Sequence, residues 1–218
     1  MMENQDRARV TMVLAVVALV GIAVKFLTFA AFHFVRSDVN PVVEPISNYG
    51  VGPYGFLLTV ADIGSVVATL ALVVGLYLGM APPARSYVGL FLLGLTGVSE
   101  LLAGIFPIDV GAEVTTAGTI HNIAGNISFF CFPIAAILVS LRMGKDEQWR
   151  SLRRPALALA IVVVLTVTFT IAGANLGIGY GVAQRVANVA VMVWMFVVAL
   201  HLRSVAQGAL AQQPLRVS

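Results

Sequence analysis

The side chains able to do chemistry in this chain are few, and they interrupt apolar runs. Lys25, Asp62, Glu100, His121 and Arg185 each lie within or at the edge of a stretch otherwise made of Ala, Val, Leu, Ile, Phe and Gly. An ionised group facing lipid costs at least about 2.5 kcal/mol, so such residues are expected to turn inward and share an enclosed space. Two carboxyls of different protonation state form an acid/base pair. Glu100 is the candidate acid and Asp62 its partner, with His121 and Arg185 placed to orient a head group. The same types read equally well as neutralising pairs that fix helix packing, Lys25 with Asp62 and Glu100 with Arg185. Desolvation offsets much of the Coulomb gain of a buried pair, however, so stability alone does not call for them.

Six apolar segments must position these groups. A bilayer core of about 30 Å needs about 20 residues of helix, and the runs Val10 to Val35, Tyr54 to Met80, Tyr87 to Phe106, Thr119 to Leu141, Pro155 to Asn175 and Val182 to Leu202 meet that length. The 218 residues are 59% apolar and 11% charged, with a mean hydropathy of +0.95, which excludes a water-soluble composition. The expected fold is all-α: one six-helix transmembrane domain over residues 1–218. The first run is longer than the core of a signal peptide and reads as a retained helix.

Orientation follows from the basic residues. Arg7, Arg9, Arg85, Arg142, Lys145, Arg150, Arg153, Arg154, Arg203 and Arg216 all fall on one side of the six spans. The opposite side has only Arg36 in its loops and Arg185 just inside helix 6. The positive-inside rule then puts both termini in the cytoplasm and the chain in the inner, cytoplasmic membrane of a cell. The basic pI, about 9.4, thus marks topology and gives no support to nucleic-acid binding. The single cysteine, Cys131, allows no disulfide, and no histidine pair has the four-residue spacing of a helical metal site. No metal or other cofactor is expected.

Depth is the most informative reading. Helix 1 carries Lys25 and then His33 toward its outer end, helix 2 reaches Asp62 about two turns in, and helix 3 carries Glu100 about two turns before it exits. Helix 4 opens with His121 and Asn122, followed by Asn126, and helix 6 opens with Gln184, Arg185 and Asn188. All belong to the outer half; the inner half offers little beyond isolated hydroxyls such as Thr69, Ser86 and Thr166, until His201 at the exit. Thr59 with Asp62, Thr96 with Glu100, Asn122 with Asn126, and Arg185 with Asn188 are three or four apart and share helical faces. The inferred object is a polar pocket opening outward and floored by apolar packing. Gly64 and Ala68 on helix 2, and Gly97, Ala103 and Gly104 on helix 3, offer small surfaces for close helix contact.

The loops differ in kind. Residues Arg36 to Pro53, with three prolines and two glycines, cannot form a regular helix and read as a lid or re-entrant plug. The loop Pro107 to Gly118 is shorter and acidic. Asn48 to Gly55 resembles Asn175 to Gly181, and Val60-Ala61-Asp62-Ile63 resembles Val186-Ala187-Asn188-Val189, which points to a hairpin repeat of helices 1–2 as helices 5–6 and puts Asp62 and Asn188 at matching depth. Tyr54, Tyr87, Tyr180 and Trp149 lie near span ends and read as interfacial anchors, Trp194 as packing.

Several stretches resemble a prokaryotic membrane family called domain of unknown function 998: Glu44-Pro45-Ile46-Ser47-Asn48-Tyr49-Gly50, Gly104-Ile105-Phe106-Pro107-Ile108-Asp109, His121 at the start of helix 4, and Gly181 to Arg185 with Trp194 in helix 6. The resemblance implies a multi-pass membrane protein and no particular reaction. It adds weight to Ser47, Asp109, His121 and Arg185 at the rim of the pocket.

The functional expectation is an intramembrane acid/base enzyme of cyclase, isomerase or hydrolase type, acting on a lipid-like or prenyl substrate reached from the outer leaflet. Its catalytic candidates are Glu100, Asp62, Asp109 and His121; its binding candidates are Lys25, His33, Ser47, Asn122, Asn126, Arg185 and Asn188. The alternative is a protein that binds or transports a lipid or hydrophobic small molecule without chemistry. A through-membrane proton path fits less well, because relays need titratable groups at successive depths.

Overall fold

A computed structural model describes residues 2–176 and 179–212; Arg216 and the Gly177-Ile178 part of the suspected repeat lie outside them. Six long helices account for the architecture: α1 (Met2–Val35), α2 (Phe56–Gly79), α3 (Tyr87–Ile105), α4 (Thr116–Arg142), α5 (Arg153–Leu176) and α6 (Tyr180–Ala211). All six are long and apolar enough to cross a membrane, and there is no strand among the described residues. Each helix packs on its neighbours in sequence, and α6 returns to α1, so the six close into a ring with α2 and α6 also touching across it.

The helices run past the apolar segments at several ends. α1 begins at Met2 and α6 continues to Ala211, because apolar length marks the part that crosses hydrocarbon, whereas backbone hydrogen bonding continues into water without penalty. Where the chain must start a helix after a break, a side chain takes over an orphan N–H. Ser86 accepts from the Gly89 N–H ahead of α3, and Thr115 accepts from Gly118 ahead of α4.

Close approach depends on glycine in two places. A Cβ at Gly21 would collide with the Gly64 carbonyl oxygen, and a Cβ on Gly64 would meet Gly21 in turn, so α1 and α2 cross backbone to backbone. A Cβ at Gly104 would lie 3.1 Å from Asp62 Oδ2, so α3 passes flush against the Asp62 carboxyl.

The two ends of the ring are built differently. At the end carrying Arg7, Arg85 and Arg142, the interior is solid hydrocarbon: Leu72, Leu76, Met143, Trp194, Val198 and Leu202 are fully buried. Trp149 belongs to this core. Its place near a span end suggests an interfacial anchor, yet it is fully buried and its Nε1 donates to the Gly79 carbonyl at 3.1 Å. Trp194 packs edge-on to Phe132 and donates to Ser140 Oγ at 3.2 Å. Outside, Phe91, Leu165 and Phe169 are 62–68% exposed, among many other bare apolar side chains. Such a perimeter matches lipid and has no counterpart on monomers in water.

The opposite end holds the cavity, and the segment between α1 and α2 folds over it as a strap. A short 3-10 turn, Ile46–Gly50, is its only regular piece. Arg36, 4% exposed, forms its core: Nη1 donates to the carbonyls of Tyr49 (2.8 Å) and Pro53 (2.9 Å), Nη2 to Val51 (2.8 Å), while Nε and Nη2 grip the Asp38 carboxylate at 2.8 Å each. Tyr49 stacks on Phe32 with ring centroids 4.4 Å apart. These bonds satisfy backbone carbonyls that a non-helical segment would otherwise leave unpaired.

Candidate functional site

All six helices and the strap contribute to one cavity of about 120 Å³. α1 supplies Lys25 and Phe29, the strap Ile46 and Ser47, α2 Asp62, α3 Glu100, α4 His121, and α6 Gln184 and Asn188. Below these, Phe132, Val167 and Val191 close it toward the hydrocarbon core. A second chamber of about 260 Å³ lies toward the loops, reaching Thr59, Pro107 and Ile108. Ser47, Leu58, Asp62, Ala103 and His121 line both chambers and so form the wall between them.

Lys25 and Glu100 form a compact unit with Ser65. The buried ammonium donates to Ser65 Oγ at 2.8 Å and to Glu100 Oε1 at 3.4 Å, and the Ser65 hydroxyl donates to Glu100 Oε2 at 2.6 Å. Both carboxylate oxygens are thereby engaged. The expected pairing is corrected: Lys25 neutralises Glu100 and not Asp62. Asp62 accepts no hydrogen bond and has no ion-pair partner among the described residues, although it lines the same cavity. Sequence reasoning passed over Ser65; its spacing of three from Asp62 was the available signal.

The second expected pair is also absent. Arg185 donates through Nη1 to the carbonyls of Pro41 (3.0 Å), Glu44 (2.9 Å) and Gly181 (2.9 Å), and its guanidinium lies 5.2 Å from the Tyr49 ring centre. It ties the strap to α6 and does not line the cavity. Beside it, Gln184 accepts the Ile46 N–H at 2.7 Å and lines the cavity. Asn188 donates to the Gln184 carbonyl at 3.0 Å and faces the cavity with it.

His121 stands at the junction of α3, α4 and the strap. Its Nδ1 lies 2.9 Å from both the Ala103 and Phe106 carbonyl oxygens, and its Nε2 is 3.0 Å from Ser47 Oγ. A carbonyl can only accept, so Nδ1 carries the hydrogen and caps the last turn of α3. In the neutral ring, Nε2 is then left as an acceptor for the Ser47 hydroxyl.

The remaining candidates lie elsewhere. Asp109 accepts the Thr115 N–H at 2.9 Å and the Thr115 hydroxyl at 2.6 Å, closing the loop onto the start of α4. Those two bonds hold its carboxyl below the usual carboxylate range. It does not line the cavity. His33 is exposed and bonds the Phe29 carbonyl at 2.9 Å. Asn122 and Asn126 are exposed, and α4 instead turns Gly125, Ser128 and Phe129 inward. No group of three or more His, Cys, Asp or Glu side chains suited to a metal ion occurs among the described residues.

An apolar groove of about 320 Å³ runs between α4 and α5, lined by Phe130, Ile134, Ile137 and Ile171 among others. Phe129, Pro133 and Val167 line both groove and cavity. Pro133 has no N–H for the Phe129 carbonyl, which loosens α4 at that shared wall.

Fold and site together define a multi-pass helical membrane protein with a polar cavity at one end of its bundle. The chain belongs to the DUF998 family, described as protein of unknown function, whose model matches residues 8–201. Neither curated proteins nor solved structures yield a match to it.

Proposed function

We propose that this protein is an intramembrane acid/base enzyme acting on a lipid-like substrate with one long apolar chain. It sits in the cytoplasmic membrane with the basic end and both termini inside, and its cavity opens to the outer leaflet. The observation that carries this reading is the adjacency of two unlike spaces. A cavity lined by Asp62, Glu100, Lys25 and His121 shares the wall formed by Phe129, Pro133 and Val167 with an apolar groove on the lipid face.

Volume favours the same class of substrate. Sites that engulf a small molecule run to about 300–1,000 Å³, and the polar cavity is smaller, about 120 Å³. It suits a reacting head, with the chain left in the groove. Within the cavity Asp62 is the carboxyl available for proton transfer, because Glu100 has both oxygens engaged by Lys25 and Ser65.

The test compares purified wild type with Asp62→Asn on a bilayer lipid extract, scoring products by mass spectrometry alongside the lipid that co-purifies. We expect Asp62→Asn to lower product formation at least about hundredfold while retaining a comparable amount of lipid. Retention without product in the wild type would sink the enzyme and leave a binding protein; lipid translocation in proteoliposomes without product would indicate transport.

A further inference from the structure

We infer that Ser47 is a nucleophile and His121 its general base, so that the site cleaves a carboxylic ester of a long-chain lipid. This rests on the reading of the cavity as an enzyme site, though not on the proton-transfer role given there to Asp62, and names its substrate class and reacting atoms. A nucleophilic serine needs a hydroxyl within hydrogen-bond reach of a base, and a third group holding that base in the right tautomer. Ser47 Oγ and His121 Nε2 are 3.0 Å apart. The third part is played by the Ala103 and Phe106 carbonyls, each 2.9 Å from Nδ1. They fix the hydrogen on Nδ1 and leave the Nε2 lone pair toward Ser47, the orienting job a carboxylate performs in other serine enzymes.

Ser47 is also held in place and within reach of a ligand. Its turn is fixed on one side by the Gln184 bond to the Ile46 N–H at 2.7 Å and on the other by the Arg36 bond to the Tyr49 carbonyl at 2.8 Å. It lines both the cavity and the loop-side chamber. A substrate head in the cavity therefore meets the hydroxyl on one side, and water has the chamber on the other.

The chemistry balances with water as the only co-reactant. Ser47 Oγ adds to the ester carbonyl carbon as its proton passes to His121 Nε2. The bond to the leaving alcohol oxygen then breaks, and that oxygen takes the proton from Nε2, leaving an acyl ester on Ser47. Water adds to the acyl carbon, giving a proton to Nε2, and the carboxylic acid departs as Ser47 Oγ recovers that proton.

The experiment treats the full-length protein in detergent with an alkyl fluorophosphonate, in which Ser47 Oγ would bond to phosphorus as fluoride leaves. We expect one modified serine, Ser47 by peptide mapping, with no modification in Ser47→Ala and a rate at least about hundredfold lower in His121→Gln. Because His121 also caps α3, a second measurement guards against simple misfolding. In a Cys131→Ser background, Ser47→Cys should be alkylated faster with His121 present than with His121→Gln, both variants eluting as single species on gel filtration. An unmodified Ser47, or rates indifferent to His121, would overturn the inference. Asp62→Asn keeps the Ser47–His121 pair and should still be labelled. Labelled Ser47 with turnover indifferent to Asp62→Asn would leave the dyad and remove the carboxylate reading, and turnover lost in Asp62→Asn with Ser47 unlabelled would do the reverse.

Discussion

Glu100 and Asp62 are both carboxyls at the same end of the bundle, but their neighbours give them different work. Glu100 is bound on one oxygen by the Lys25 ammonium and on the other by the Ser65 hydroxyl, whereas Asp62 rests against Gly104 with neither. Removing one partner of a buried pair leaves an uncompensated charge, which costs about 3–5 kcal/mol, while replacing both can be neutral or stabilising. Glu100→Gln should accordingly lower thermal stability markedly, and Lys25→Met with Glu100→Gln should recover much of it. Equal stability of Glu100→Gln and wild type in detergent melting would show that the pair does not hold the bundle together. The sequence revealed that these groups share a depth. It did not reveal that Lys25 would choose Glu100, because spacing along a helix fixes a face and a height, while the partner across the interior depends on how the helices are rotated against one another.

Among the elements, the strap over the cavity is the part whose form was least legible in its residues. Its prolines and glycines marked it as irregular, and a lid or plug was the natural expectation. What makes it one ordered piece is Arg36, which donates to three carbonyls while clasping Asp38. The Arg36 hydrogen bond first, then a backbone N–H bond to the carboxylate and last the Arg36 charge hold the Asp38 carboxyl below its ordinary range, against the opposing effect of desolvation. A depressed folded-state value means that the clasp contributes above the unfolded carboxylate value of about 3.9 and is lost as pH falls through the folded value. Amide hydrogen-exchange protection of residues 46–51, taken relative to the intrinsic rate at each pH, should therefore fall on acidification below about pH 4, and Arg36→Ala should lower it at neutral pH as well. Exchange that ignores both changes would assign the order of the strap to Arg185 and the stacked Phe32 and Tyr49 rings instead.

Across the whole molecule, six helices are long and apolar enough to cross a membrane, and six crossings would return the end of α6 to the side on which α1 begins, independently of any charge rule. In the proposed reading the charge rule supplies the side. In a Cys131→Ser background, Glu113→Cys in the acidic loop should react with an impermeant maleimide added to intact cells, and Glu147→Cys between α4 and α5 should react only after lysis. The opposite pattern would invert the protein and turn the cavity toward the cytoplasm. The ring also explains why a polar cavity is tolerated. The half of the interior below it is close-packed around Leu72, Trp194 and Leu202, so the cost of the polar groups is confined to one end.

The amino-acid sequence by itself determined the number of spans, their all-helical form and the depth at which polar groups occur. Each of these follows from properties local to the chain: the length needed to cross hydrocarbon, the obligation of every backbone group in lipid to bond within its helix, and the rise per residue. Only the tertiary structure decided which side chains meet. It brought Ser47 to His121 across 74 positions, turned Asn122 and Asn126 away from the cavity, and sent Arg185 to the strap, because helix rotation and loop folding are settled by packing and backbone satisfaction over the whole ring.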